Sequence, residues 1–332
     1  MNVLVTGATG FIGSNLCRAL VAQGHRTRAF HRSTSSLKAI EGLPLEHALG
    51  DILDLDSLGA AMAGVEIVVH CAAQMGTWRD PARMTAGHVT GTRNVVQAAL
   101  RAGVRRLIYT SSVAALGVPD HPPSRTAHAQ TLIDETHDWN YGPRLWQYGY
   151  AKHIAEQEVR QAIRDGLEAV IVNPSAVFGA GDVNRTYSSI LLNVARGRIP
   201  FCPPGGLNAV HIDDVVEGHL AAIQRGRPGE RYILGGENLS LARLLAITAE
   251  VVGRRPPRLV PPTWLLRGLA LPIDLLSRVT PLPVDGDLLR LAGYYFYYDT
   301  RKAQTELGLT QPIPYRLAAE HAFAWYQQQS LL

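Results

Sequence analysis

A strand-like run over residues 3–6 passes directly into Gly7-Ala8-Thr9-Gly10-Phe11-Ile12-Gly13 and then into an apolar-periodic helix. Little else in the chain constrains its fold so tightly. Glycines at this spacing let the backbone turn sharply and leave N–H groups bare at a helix start. Strand, glycine turn and helix in that order open a βαβ unit whose helix N-terminus suits a pyrophosphate. Gly7, Thr9, Gly10, Phe11, Ile12 and Gly13 are therefore the first candidates for holding a dinucleotide. A plain tight turn is the competing reading.

The rhythm continues through the first half. Residues 27–31, 45–49, 66–71, 106–110 and 169–173 read as strands, each followed by a helix or crossover. Several are continuously apolar, as strands covered on both faces are. The fold class expected is α/β, a doubly wound parallel sheet of the Rossmann type with a smaller C-terminal α/β substrate lobe. Residues 1–175 would form the nucleotide-binding domain and 176–332 the lobe, interleaved rather than cleanly divided. Within the second half, residues 186–196, 241–252 and 314–327 read as helices. A strand around Ala209-Val210-His211 and another over residues 231–234 accompany them, and Tyr294-Tyr295-Phe296-Tyr297-Tyr298 reads as a packed strand.

Composition excludes several classes. Apolar residues make up 46% and charged residues 18%, an ordinary globular balance, and the formal charge of +4 is spread without a basic block. No nucleic-acid partner is expected. Cys17, Cys71 and Cys202 lie far apart, and His211 and His219 have no ligand at metal spacing, so neither disulfide nor metal is expected. The first residues run straight into a strand, which predicts a cytoplasmic chain without a leader. No apolar run is long enough for a membrane span. Residues 264–273 come nearest, interrupted by Arg267 and Pro272; they read as a packed helix, with an interfacial or lid role as the alternative.

Tyr148 stands four residues before Lys152, and the chain has only three lysines among 32 basic side chains. Twelve tyrosines and three lysines in 332 residues should yield about a tenth of one such pairing by chance. A lysine kept where arginine is otherwise used implies a compact ammonium that a planar guanidinium cannot replace. On a helix the two heads share a face. The pair points to proton transfer.

The second strand ends Arg28-Ala29-Phe30-His31-Arg32-Ser33 without the carboxylate that would hold ribose hydroxyls. Arg32 is placed to meet a 2′-phosphate, which favours NADP(H); NAD stays open, with Arg32 a solvated surface residue. Asp51-Ile52, after the third strand, would meet the adenine amine or begin the next helix as a cap.

Together these residues resemble the extended short-chain dehydrogenase/reductase family. The likeness rests on Gly7-x-x-Gly10-x-x-Gly13, Asp51-Ile52, His70-Cys71-Ala72-Ala73, Tyr109-Thr110-Ser111-Ser112, Tyr148-x-x-x-Lys152 and Asn173-Pro174-Ser175, in the expected order along nearly the whole chain. Ser111 to Gly117 and Gly229 to Asn238 are similar to the dihydroflavonol-reductase-like branch, which includes hopanoid-associated sugar epimerases. The resemblance implies that Tyr148 exchanges a proton with the substrate oxygen while Lys152 lowers its pKa and holds the nicotinamide ribose. It implies that Ser112, five residues before Gly117, orients the substrate, and that Ala72, Ala73, Asn173, Pro174 and Ser175 flank the cofactor. A plain turn is the competing reading for Asn173-Pro174-Ser175, and dimerisation through two helices beside the sheet is the family habit. His88 stands where the family often has asparagine, and Leu116 where it often has tyrosine.

Gln74, Thr77, Trp78, Trp139, Tyr141, Trp146, Phe178 and Tyr187 are candidates to line an aromatic substrate pocket suited to a cyclic, apolar ligand, with core packing as the alternative for each. His121 and His128 lie in the long loop before Trp146. No arginine stands just before the strand at Ala209, where many sugar-nucleotide epimerases clamp a diphosphate; Arg185, Arg196 and Arg198 are the remaining candidates. The leading expectation is an NADP(H)-dependent oxidoreductase on a carbonyl/secondary alcohol pair. A sugar-nucleotide epimerase or dehydratase is the rival, and a catalytically silent cofactor sensor the third reading.

Overall fold

A computed structural model describes residues 1–73, 81–120, 132–183, 187–277 and 286–331. Gln74, Thr77, Trp78, His121, His128 and Arg185 lie outside the described residues. Seven strands form the main sheet: β1 (Asn2–Thr6), β2 (Arg26–His31), β3 (Glu46–Leu49), β4 (Ile67–His70), β5 (Arg106–Thr110), β6 (Ala169–Pro174) and β9 (Arg231–Leu234), every pairing parallel, in the order β3-β2-β1-β4-β5-β6-β9. The chain winds from β1 outward to β3, then restarts on the other side at β4. That reversal leaves a crevice between the C-terminal ends of β1 and β4, the place where such sheets take ligands.

Side-chain alternation explains why both faces are covered. Val3, Val5, Ile67, Val69 and Ile108 belong to one core, while Leu4, Val68, Leu107 and Tyr109 belong to the opposite one. Period-two strands that are apolar at every position can only be satisfied between two helix layers. The first core takes α1 (Phe11–Ala22) and α7 (Ile212–Arg225); the second takes α2 (Leu55–Met62), α4 (Gly91–Ala102) and α5 (Gln147–Arg164). A short helix α3 (Pro81–Thr85) and a π-helical turn, Ala86–Thr90, lead into α4.

Beyond β6 the chain does not turn. Pro174 still pairs with Leu234 in the main sheet, Ser175 N donates to Leu234 O, and Ala176 already pairs with Ala209 in a second sheet. Asn173-Pro174-Ser175 is thus a continuous crossing between sheets, which corrects the plain-turn reading. The second sheet contains β7 (Ala176–Phe178), β8 (Gly206–His211), β10 (Glu237–Ser240) and β11 (Tyr295–Phe296), all paired to β8. Helices α6 (Ser189–Ala195), α8 (Leu241–Val251) and α13 (Tyr315–Gln328) surround it, and α12 (Arg301–Leu307) returns to pack on α7 and β9. Only two residues of the expected Tyr294–Tyr298 strand pair with β8.

Residues 263–277 depart from expectation. They form α9 (Thr263–Gly268) and α10 (Ala270–Ser277), followed by α11 (Gly286–Arg290). Leu266 and Ala270 are buried, whereas Trp264, Leu265, Leu269 and Leu271 are exposed. The apolar residues recur too often to fit one buried stripe, so the reading of a packed helix fails.

One buried ion pair fastens these layers. Glu156 on α5 is 1% exposed at its side chain and lies 3.3 Å from Arg231 on β9. Arg231 also donates to the carbonyl oxygens of Glu135 and His137, tying down the segment before α5. Removing one partner strands a charge in low dielectric, so Glu156→Ala should lower unfolding free energy by about 3–5 kcal/mol. Disrupting the exposed Arg93–Glu158 pair, two residues further along the same helix, should cost about 0–1 kcal/mol. Urea unfolding of the two variants checks the contrast; equal losses would remove Glu156 from this role.

Candidate active site

The crevice between β1 and β4 is built by close backbone approach. Gly7 has φ +69°, and a Cβ there would stand 2.7 Å from Ala72 N, a separation real side chains do not tolerate. A Cβ on Gly13 would fall 2.2 Å from Gly7 O. Thr6 Oγ1 accepts from Ala72 N at 3.3 Å, locking the end of β4 to the end of β1. Gly10 is the N-cap of α1, with no side-chain cap and no acidic residue in the first turn. The helix therefore presents uncapped N–H donors and its positive end to the crevice, with no anionic side chain competing. These residues fit a dinucleotide pyrophosphate.

The individual assignments sort unevenly. Phe11 is 7% exposed and its ring belongs to the core, so only its backbone faces the crevice; Ile12 packs partly against the same core. Thr9, Ala72 and Ala73 are partly exposed at the rim. Arg32 and Ser33 are exposed at the end of β2, on the side where an adenosine ribose would lie. Asp51 does not cap α2, since Asp54 does so by accepting from Asp56 N and Ser57 N. Asp51 instead accepts from Leu53 N in a local turn, which corrects the capping alternative.

Across the sheet ends, α5 brings Tyr148 and Lys152 toward β4 and β5. Lys152 is 4% exposed, and its Nζ donates to Thr110 O at 3.1 Å while lying 5.5 Å from the centre of the Tyr109 ring. Burial pulls its pKa down from 10.5 to about 8, with Cys71 and Glu156 acting weakly in the opposite sense. Thr110 is itself braced from below. His219 Nδ1 meets Val215 O at 2.7 Å, which leaves Nε2 to accept from Thr110 Oγ1 at 2.9 Å. Cys71 Sγ lies 3.2 Å from the same hydroxyl.

Ser112 begins the 3-10 turn Val113–Leu116, and its Oγ accepts from Ala114 N at 3.2 Å. That contact occupies a lone pair and frees the hydroxyl proton to donate. Its carbonyl accepts from Asn173 Nδ2 at 2.9 Å, and the same amide donates to Glu156 Oε1 at 2.7 Å. The Asn173 amide nitrogen is therefore committed to Ser112 and Glu156, and Ser175 is likewise bonded to Asn208, so it is the backbone of this crossing that is left to face a cofactor. Burial raises the Tyr148 pKa well above the usual phenol range, Tyr187 raises it further, and the hydrogen bond with Ser112 draws it down. Ser112 thus lowers it through a direct contact that the sequence did not single out.

The aromatic candidates divide the same way. Phe178 is 1% exposed and lies edge-on to Tyr315 at 4.9 Å, so it is core. The Trp139 ring rests on Tyr150 and His153, each at 5.7 Å, on the flank of α5 turned from Tyr148. It anchors the loop rather than lining a pocket. Tyr141 meets Tyr294 edge-on at 6.4 Å, and Trp146 lies 5.6 Å from Phe296, which makes a partly exposed wall. Tyr187, 53% exposed, leans on Phe178 at 6.2 Å. Arg196 is turned to the chain end, donating to Leu331 O, and Arg290 is bridged to Asp274 and Asp287.

Sequence reading missed Glu156 as part of the site; His88 and Thr110 were noted only as a departure from the family and as a motif member, without a role. His88 is 2% exposed within the π-helical turn and lies 5.7 Å, edge-on, from Tyr148. A histidine at a buried helical position had no spacing to flag it. Glu156 carried one available signal, a carboxylate four residues beyond Lys152 on the inward face.

Comparison with known proteins places this geometry in a lineage. Residues 3–235 match the NAD dependent epimerase/dehydratase family. The chain is 36% identical to "Putative dihydroflavonol 4-reductase" of Synechocystis sp., over 97% of this chain and 94% of that protein. It is also 36% identical to "Sterol demethylase protein B" of Methylococcus capsulatus, over the full length of both. A solved nucleoside-diphosphate-sugar epimerase from Pseudomonas aeruginosa superposes with a TM-score of 0.82 at 27% identity, covering 100% of this chain and 99% of that one. With the glycine crevice and the Ser112, Tyr148 and Lys152 cluster at its mouth, the chain belongs to the NAD-dependent epimerase/dehydratase family, the extended short-chain dehydrogenases/reductases, and is an NAD(P)-dependent enzyme.

Proposed function

We propose that this enzyme is an NADP(H)-dependent reductase of an apolar, cyclic carbonyl compound, with Tyr148 as proton donor, Ser112 as orienting donor and Lys152 as the fixed cation. One observation carries the reading: the Tyr148 phenol, half-buried, with its pKa raised and bonded to Ser112, keeps its proton at neutral pH and can give it to an oxygen, which suits reduction of a carbonyl to an alcohol. The nicotinamide, when bound, supplies the hydride to the carbonyl carbon. Tyr148 gives its proton to the carbonyl oxygen, so that the alcohol leaves neutral. The Ser112 hydroxyl, fixed by Ala114 N, donates to that oxygen and sets its direction. Lys152, held on Thr110 O, faces the ribose side of the crevice and offsets the negative charge left on Tyr148.

Two further observations support the substrate class. The partly exposed wall of Tyr141, Trp146, Tyr294 and Phe296 is aromatic. Of the arginines considered for a diphosphate clamp, Arg196 is committed to Leu331 O, which leaves the exposed Arg198 as the described candidate for the clamp that a sugar diphosphate wants. The names of two relatives, a dihydroflavonol reductase and a sterol demethylase component, point to polycyclic compounds. The epimerase reading draws on the Pseudomonas aeruginosa neighbour. Net consumption of NADPH by a cyclic ketone, set against silent cofactor turnover with a UDP-sugar, separates the two.

Tyr148→Phe should bind cofactor normally and lose turnover by about 10²–10⁴-fold; retained turnover would refute the assignment. Arg32→Glu should weaken NADP binding about ten- to a hundredfold and leave NAD binding unharmed; unchanged NADP affinity, read by titration, overturns the choice of NADP. Lys152 gives a pH signature. Its folded pKa of about 8 lies below the ordinary 10.5, so below pH 8 both states carry the proton and the cost of burying it is complete. Between those values only the unfolded chain stays protonated, and stability should rise by about 1.4 kcal/mol per pH unit relative to Lys152→Met. Urea midpoints of the cofactor-free proteins across pH 7.5–10 test this; a flat difference would mean an unperturbed lysine.

A further inference from the structure

Helices α9 and α10 carry the most apolar exposed surface among the described residues. Trp264 is 73% exposed and Leu271 69%, and Leu265, Leu269, Leu275 and Leu276 accompany them. Their inward side is thin: Leu266 and Ala270 meet Leu289 and Ala292 in a small cluster, with Phe201 and Ile273 partly buried against it. A helix pair in water should turn charged residues outward. Here the outward residues are leucines and a tryptophan.

The charge around this face is one-sided. No carboxylate occurs between Gly253 and Ile273, while Arg254, Arg255 and Arg258 precede the helices and are exposed. The single acid on the helices, Asp274, is bridged to Arg290. Arg267 lies over the Tyr294 ring at 5.2 Å and donates to Ala292 O. An apolar face with a tryptophan, preceded along the chain by three exposed arginines, complements an anionic bilayer: apolar residues enter the acyl boundary and guanidinium groups meet headgroup phosphates. The helices, of six and eight residues, are too short to span, so the contact is shallow.

We propose that the α9–α10 face docks this enzyme on an anionic lipid surface. The face is joined to the site. Asp287 on α11 accepts from Gln147 N, the residue next to Tyr148, at 3.2 Å, and Tyr294, beneath Arg267, meets Tyr141. Docking here sets the aromatic wall at the membrane, so a bilayer-dissolved substrate reaches Tyr148 without crossing water.

Sedimentation of the full chain with vesicles tests this directly. The wild type should pellet with 1:1 phosphatidylcholine/phosphatidylglycerol vesicles and hardly at all with phosphatidylcholine alone. Arg254→Glu/Arg255→Glu/Arg258→Glu should weaken partitioning about a hundredfold or more, the weight three arginines carry toward an anionic leaflet. Leu271→Glu/Leu275→Glu should abolish it with an unchanged melting temperature, since both leucines are already in solvent. Tyr148→Phe should bind vesicles normally, so this result and the redox reading fail separately. Absence of wild-type binding to anionic vesicles overturns the proposal. So does equal binding by both charge variants, or a wild-type dimer in solution that Leu271→Glu/Leu275→Glu converts to monomer, which would assign the face to a second copy of the chain.

Discussion

Lys152 is a charged group almost wholly removed from water, and the surroundings of the site are arranged around that cost. Its ammonium has one backbone acceptor, Thr110 O, and a lysine buried with so little compensation loses affinity for its proton. Thr110 can serve only because it does not move: it ends a central strand, and His219 and Cys71 both meet its hydroxyl. A guanidinium, broader and reluctant to shed charge, could not occupy this place.

A second constraint works through Glu156. This carboxylate receives Asn173 and Arg231, and Asn173 in turn holds the carbonyl of Ser112. The serine that bonds Tyr148 is thereby fixed by groups belonging to α5, β6 and β9. Since β9 arrives after the chain has already built much of its second sheet, the Ser112 end of the site depends on a late segment returning to the first sheet. The Asn173 amide nitrogen, the Glu156 carboxylate and the Arg231 guanidinium satisfy one another, while Asn173 Oδ1 is buried without a partner; loss of any member leaves the others with unmet demands in a dry interior.

The elements with strong periodicity were legible. Strands β1, β5, β6 and β9 fall where the apolar runs stand, because a strand buried on both faces has few alternatives. The glycine turn was legible as well, since only glycine tolerates the approach at Ala72. Side-chain direction was not. Phe178, Trp139 and Asn173 sit near the catalytic residues in sequence order, yet each points into packing or into the polar network, and nothing local to their sequence distinguishes a ring that lines a cavity from one that fills a core. The capping alternative for Asp51 failed for a different reason: two aspartates three residues apart could each begin α2, and the turn closed by the first made the second the cap. His88 was noted as a departure from the family, but its contact with Tyr148 was not foreseeable, because it arises from a π-helical turn, an irregularity that shifts the helix face without a sequence marker.

The departures from sequence expectation at residues 263–277 and around Tyr148 bear on one another. On the proposed function, a phenol that keeps its proton, a serine positioned to donate and an aromatic wall make a site for uncharged, apolar compounds. Such compounds are scarce in water and concentrated in bilayers. An enzyme for them gains more from standing where its substrate is dissolved than from tighter binding, because the encounter is limited by the aqueous concentration. The leucines on α9 and α10 carry a solvation cost in the isolated chain that folding does not remove, and Arg290, which anchors α10 to α11, also holds Asp287 at the backbone of Gln147. The same bridged acids thus fix both the outward apolar face and the entrance of the helix that carries Tyr148, so a surface that settled those helices would steady the mouth of the site at the same time.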